Sequence, residues 1–181
     1  MDDAGLNTDA LMRTLGRRGR EAAATLRLAG PEQRTAAIAG MAAAVREAAA
    51  DILAGNAEDM ARARAAGLGA AMLDRLALTP ERVEGVAAGL DTVAAIPDPV
   101  GAEMARWTRP NGLDIARVRT PIGVIGVIYE SRPNVTADAA ALCVRAGNAV
   151  ILRGGSESLS SSLAIHAALE AGLRSAGLPA A

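Results

Sequence analysis

Two short runs of β-branched and aliphatic residues, separated by one helix-length segment, constrain the fold of this chain more than any other feature. The first run is Pro121-Ile-Gly-Val-Ile-Gly-Val-Ile-Tyr-Glu130, and the second is Ala149-Val-Ile-Leu-Arg153. Neither alternates apolar with polar residues, so both read as strands covered on both faces. Val135 to Ala146 reads as a helix ended by Gly147-Asn148. Gly154-Gly155-Ser156-Glu157 then turns into a long helix that stops near Ala176. A β-α-β-α order predicts parallel pairing in an open α/β sheet. Such sheets bind ligands outside the carboxyl ends of their strands, here Glu130 to Asn134 and Arg153 to Glu157. Two strands are fewer than a doubly wound domain uses, and Leu178-Pro-Ala-Ala181 reads as the lead into a third. A fragment is expected.

The first hundred residues read as helices. Thr8 to Ala29 carries Leu11, Leu15, Ala22 and Leu26 at helical spacing, and Gly30-Pro31 punctuates. A second helix is expected from Pro31 to Ala54, broken by Gly55-Asn56, and a third from Ala57 to Ala66. Gly67-Leu-Gly69 links to a short helical piece, Ala70 to Leu76. Thr79-Pro80-Glu81 starts another helix, with Thr as N-cap, Pro at the first position and Glu at the positive end of the dipole. It carries Val83, Val86, Leu90 and Val93 inward and stops before Pro97-Asp-Pro99. Met104 to Thr108 and Leu113 to Thr120 flank Asn111-Gly112, which predicts an antiparallel hairpin with a two-residue turn.

Composition narrows the function classes. All 19 basic residues are Arg, and against 20 acidic residues the net charge is −1, so the electrostatic footprint of a nucleic-acid binder is missing. Aromatics are 1% of the 181 residues, which leaves the core to Leu, Ile, Val, Met and much Ala. No apolar run is long enough to span a membrane, and Met1-Asp-Asp3 lacks a secretory pattern. One cysteine and one histidine permit no internal disulfide and no Cys/His zinc site, and a reducing, cytoplasmic setting is the simplest expectation.

Several residues merit a chemical reading. Gly123 and Gly126 fall inside a strand and lack a third glycine, so they are not a dinucleotide fingerprint. Arg153-Gly-Gly-Ser-Glu157 joins a cation, a flexible turn and a helix N-terminus, a combination that favours an anion. Arg132 and Asn134, stiffened by Pro133, offer donors to an anion or a developing oxyanion. Cys143 lies between apolar neighbours and reads as an inert thiol. His166 reads as a surface or packing residue. The serines from Ser158 to Ser162 are explained by local backbone hydrogen bonding.

Thr120-Pro-Ile-Gly-Val-Ile-Gly-Val-Ile-Tyr-Glu-Ser-Arg-Pro-Asn-Val-Thr136 resembles the signature stretch of the gamma-glutamyl phosphate reductases, a branch of the aldehyde dehydrogenase superfamily. The similarity continues through Leu142 to Glu157, Leu68 to Thr79 and Asp98 to Gly101. It covers nearly all of the chain. The resemblance implies an α/β fold: N-terminal helices (1–100), a β-hairpin that serves as oligomerisation element (101–120), and an incomplete Rossmann-like parallel sheet of the aldehyde dehydrogenase type (121–181). It implies NADPH-dependent reduction of L-glutamyl 5-phosphate to L-glutamate 5-semialdehyde and phosphate, in proline biosynthesis. It places the nucleophilic cysteine in a catalytic domain outside this chain, so that Cys143 is not the nucleophile and the chain alone is inactive.

The same resemblance assigns cofactor contacts to Arg153, Gly154, Gly155, Ser156 and Glu157. Arg153 with Ser156 suits the 2′-phosphate of NADP, provided Glu157 points away along the helix start. Arg132 or Asn134 stands at the oxyanion position, and Arg132 alternatively holds the acyl phosphate. The implied partners are the small-molecule substrate, a glutamate 5-kinase and further copies of the complete protein. Two other readings stay open: a truncated, non-catalytic nucleotide-binding or oligomerisation module, and another aldehyde dehydrogenase superfamily member.

Overall fold

The computed structural model describes residues 8–180; the Met1-Asp-Asp3 end and Ala181 lie outside the described residues. Helices α1 (Thr8–Leu28), α2 (Pro31–Glu47), α3 (Ala49–Ala65), α4 (Ala70–Leu76) and α5 (Pro80–Ala95) come first. Strands β1 (Glu103–Thr108) and β2 (Asp114–Val118) pair antiparallel. Strand β3 (Val124–Ile128), helix α6 (Asn134–Arg145), strand β4 (Ala149–Arg153), a 3-10 turn (Ser156–Ser158) and helix α7 (Leu159–Ser175) follow. The expected β-α-β-α order is present, and β3 pairs parallel with β4 from Val124↔Ala149 to Ile128↔Arg153.

One hydrophobic core runs through both parts of the chain. It joins Leu26 of α1, Ile38, Met41 and Val45 of α2, Ile52 of α3, Val83, Val86 and Leu90 of α5, Val144 of α6, and Ile165 and Leu169 of α7. Alanine lets these helices approach closely, and two glycines carry this furthest. At the α2–α7 crossing, a Cβ on Gly172 would fall 2.3 Å from the backbone nitrogen of Met41, and one on Gly40 would fall 2.7 Å from Ser175 Oγ. At Gly172 only glycine allows the two backbones to meet at this distance, whereas at Gly40 the nearest atom is a side-chain hydroxyl.

Several expectations are corrected. The break in the second predicted helix falls at Ala48, not at Gly55-Asn56, which lie inside α3. Gly55 is a close-approach residue: its Cβ would sit 3.0 Å from the carbonyl oxygen of Ser160. In α1 the inward face is Gly19, Ala22, Ala23 and Leu26, while Leu11 is 46% exposed. The hairpin turn is longer than two residues. Thr108 pairs with Asp114, Arg109 N–H donates to Leu113 O at 2.9 Å, and Gly112 takes φ +84°. Pro110 and the left-handed Gly112 match a type I turn that ends in a bulge rather than a tight primed turn.

The parallel strands are only partly covered. Gly19 of α1 meets Val124, but Gly126 and Ile128 on the same face of β3 are exposed, Ile128 to 79%. β4 is buried at Ala149, partly covered from Val150 to Leu152 and open at Arg153. Expected cover on both faces fails because α1 crosses the sheet near the amino end of β3 and leaves the rest of that face bare. Both faces of the hairpin are also largely open, with Met104, Trp107 and Val118 exposed.

Candidate functional site

The carboxyl ends of β3 and β4 pack closely where the glycine turn after β4 meets Tyr129 and Ser131 after β3. Tyr129 follows β3, and its hydroxyl lies 2.6 Å from the Thr136 hydroxyl, which ties the end of β3 to the first turns of α6. A Cβ on Gly154 would lie 3.2 Å from the Tyr129 ring, and one on Gly155 would lie 3.2 Å from Ser131 N. The two glycines let one loop pack tightly against the other, and a side chain at either would need its neighbours to shift by a few tenths of an ångström. At their meeting point Ser131 has φ +35°, a left-handed conformation that costs a non-glycine residue about 1 kcal/mol or more. Its hydroxyl is buried and has no hydrogen-bond partner among the described residues.

Glu157 does not point away along the helix. Its Oε2 lies where a Gly155 Cβ would approach to 2.5 Å, so the carboxylate folds back over the glycine turn. The N-terminus of α7 is also less open than the sequence suggests. Asp59 of α3, fully buried, accepts from Ser160 N (3.1 Å), Ser161 N (2.7 Å) and Ser161 Oγ (2.5 Å), and pairs with Arg62. The local explanation of the serine run holds for Ser158, whose Oγ donates to Gly155 O at 3.4 Å, and is corrected for Ser160 and Ser161. Ser160 and Ser161 answer a carboxylate a hundred residues upstream, whose negative charge caps the helix dipole. Among the expected cofactor residues, Arg153 and Ser156 stay exposed at the sheet edge.

Arg132 and Asn134 face a different space, a cleft of about 600 Å³ between α4, α5 and the start of α6. Asn134 is the first residue of α6, not a loop residue, and its Nδ2 donates to Asp138 Oδ2 at 3.0 Å. Burial raises the Asp138 carboxyl pKa, and the Asn134 amide offsets this only in part. The opposite wall carries Asp74, Arg75, Glu81 and Arg82; of these the sequence pointed only to Glu81, and to it as a helix-start residue rather than a site residue. That wall is anchored from beneath by Asn56, whose Nδ2 donates to Leu76 O (2.8 Å) and Ser161 Oγ (3.0 Å) and whose Oδ1 accepts from Leu78 N (2.7 Å). The two expected groups of site residues thus touch through Glu130, Ser131 and Gly155, but only Arg132 and Asn134 enter the cleft.

Cys143 is buried in α6, and burial pushes its thiol pKa up. A thiol so placed is a poor nucleophile. His166 is half-buried in α7, beside an apolar groove of about 430 Å³ under α1. No described helix is long and apolar enough to cross a membrane.

The chain is 70% identical over 170 residues to a protein named gamma-glutamyl phosphate reductase from Caulobacter vibrioides, across 94% of this chain. It is 61% identical over 181 residues to the one from Rhodospirillum rubrum. Over nearly its whole length the chain is similar to the gamma-glutamyl phosphate reductases. It spans about 41% of the length of these relatives and corresponds to their N-terminal portion. The crystal structure of gamma-glutamyl phosphate reductase from Thermotoga maritima superposes with a TM-score of 0.88 at 41% identity, over 91% of this chain and 40% of that one. The yeast enzyme from Saccharomyces cerevisiae gives 0.87 at 31%, over 92% of this chain and 43% of that one. A probable aldehyde dehydrogenase from Listeria monocytogenes gives 0.71 at 15% identity, over 98% of this chain and 36% of that one, which places the fold in the aldehyde dehydrogenase class. No family model matches the chain.

Proposed function

We propose that this chain is the portion of a gamma-glutamyl phosphate reductase that frames the substrate's carbonyl and one end of the cofactor. The reaction is reduction of L-glutamyl 5-phosphate by NADPH and a proton to L-glutamate 5-semialdehyde and phosphate. The 70% identity over 170 residues carries this reading. The cleft supports it by setting a guanidinium and an amide side by side at the carboxyl end of β3. Asn134 keeps one Nδ2 hydrogen free of Asp138, suited to a carbonyl oxygen that gains negative charge. Arg132 is exposed at the cleft wall and suits the acyl phosphate, since a guanidinium matches phosphate geometry.

A nicotinamide cofactor fits the polar edge beyond β4. Arg153 and Ser156 are exposed there and would hold the ribose phosphate, while Gly154 and Gly155 bring the loop close to Tyr129 and Ser131. The cofactor supplies the hydride when bound. NADP is the form we assign, on the cation at Arg153. The inward-folded Glu157 opposes a 2′-phosphate, so Arg153 must outweigh it. The exposed Met104, Trp107 and Val118 support the hairpin as an oligomerisation element. We also infer a cytoplasmic protein whose labile substrate comes from a glutamate 5-kinase.

Two measurements test the reading. The melting transition of the 181-residue chain is expected to rise with NADPH and not with NADH; an equal response would remove the phosphate preference from Arg153 and Ser156. Phosphate-dependent oxidation of L-glutamate 5-semialdehyde is expected from a full-length protein carrying this segment and not from the segment alone. Turnover by the segment alone would overturn the assignment of the nucleophile to another part of the protein.

A further inference from the structure

Ser131 carries two costs that the fold does not require. It takes φ +35°, in the left-handed region that serine seldom adopts. It is also only 5% exposed, and its hydroxyl has no hydrogen-bond partner among the described residues. Glycine would remove both costs, since it has no hydroxyl and adopts positive φ freely. The backbone turn after β3 therefore calls for glycine, and what serine adds is a hydroxyl. A buried, unpaired hydroxyl on a strained residue points to a partner from outside the chain. The position of Ser131 narrows that partner. Its backbone nitrogen lies 3.2 Å from the place of a Gly155 Cβ, and its chain neighbour Arg132 lines the cleft. The charged residues at the two strand ends, Glu130, Arg132, Arg153 and Glu157, balance and do not select a ligand by sign. The functional reading above gives the glycine turn to the cofactor and Arg132 to the acyl phosphate, so either ligand brings phosphate oxygens towards Ser131.

We propose that Ser131 is a ligand-contacting residue, whose hydroxyl donates to a phosphate oxygen seated between the glycine turn and Arg132. This rests on the functional reading above and adds a residue to it. The contact is covered until the ligand arrives. Glu157 folds its carboxylate over Gly155, with Oε2 2.5 Å from the place of a Cβ there. Among the described residues no hydrogen bond or ion pair holds it in that place. An incoming phosphate repels the carboxylate, which is free to swing off the turn. Ser131 then exchanges an unpaired hydroxyl for a charge-assisted hydrogen bond.

The test uses phosphate-dependent oxidation of L-glutamate 5-semialdehyde by full-length reductase carrying these residues, as wild type, Ser131→Ala, Ser131→Gly and Glu157→Gln. Ser131→Ala removes the hydroxyl and keeps the left-handed backbone, whereas Ser131→Gly removes both costs. Both variants are expected to unfold in urea at a midpoint no lower than wild type, because no bond within the protein is lost. Both are expected to raise the KM of one phosphate-bearing reactant roughly fivefold or more and to leave the other within about twofold. A rise for NADP places the partner on the cofactor, and a rise for inorganic phosphate places it on the substrate's phosphate. Glu157→Gln should lower the same KM. Unchanged KM values in Ser131→Ala, an equal rise in both, or a lower urea midpoint overturns the proposal. An unchanged or raised KM in Glu157→Gln overturns the covering role. Wild-type turnover keeps the two readings apart: an active enzyme indifferent to Ser131 sinks only this contact, and an inactive one sinks the functional reading.

Discussion

Asp59 is the side chain on which the α3–α7 junction depends. It is fully buried, and its two oxygens accept from two backbone N–H groups, a hydroxyl and a guanidinium. Asp59→Ala leaves the Ser161 donors without partners, which should cost about 2–4 kcal/mol in urea unfolding. The exposed Asp9–Arg13 pair gives the contrast: Asp9→Ala should change stability by less than about 0.5 kcal/mol. Asp138 behaves differently. Its folded carboxyl titrates above the ordinary value because burial disfavours the charge. The folded state therefore holds the proton more tightly than the unfolded chain, and stability falls as pH rises through the raised value. Asp138→Asn removes that loss. The variant should be more stable than wild type at neutral pH and should match it below the normal carboxylate range. A lower urea midpoint at neutral pH would contradict this.

Glycine in a helix means opposite things in α7 and α5. A methyl on Gly172 would meet the backbone of α2, which cannot swing aside, so Gly172→Ala should destabilise by about 3 kcal/mol or separate the two helices. Gly85 on α5 has nothing within 4 Å, and Gly85→Ala should stabilise by about 0.5–1 kcal/mol. Thermal or urea unfolding of the two variants decides both. The same distinction explains what the sequence hid at this scale. Gly55-Asn56 looks like a helix break, but Gly55 is there for the Ser160 carbonyl and Asn56 for the Leu76–Leu78 link, and both partners are remote in sequence. The true break, at Ala48, has neither Gly nor Pro to announce it. By contrast, the Thr79-Pro80 start of α5 depends on local chemistry alone, and Thr79 accepts from Arg82 N as expected.

At the scale of the molecule, the parallel β3–β4 pair and its crossover helix were legible because strand and helix periods are local signals. The exposure of Ile128 was not, because cover depends on where α1 crosses. Arg132 and Asn134 could be singled out from their place after a strand, and a cleft does contain them. Arg75 and Asp138 could not. They belong to helices that only the folded core brings face to face, and nothing in their sequence neighbourhoods distinguishes them from solvated surface charges.

The α2–α7 crossing has a consequence in time. α2 packs chiefly against α7 and α5, and α7 is the last element of the described chain. A ribosome adding roughly 5–20 residues per second would leave the apolar stripe of Ile38, Met41 and Val45 without its main partner for on the order of ten seconds. During that interval the nascent chain presents a ready-made surface to chaperones. It also presents that surface to neighbouring nascent chains, so slowing synthesis between α5 and α7 should lower the soluble yield even though the finished protein is unchanged.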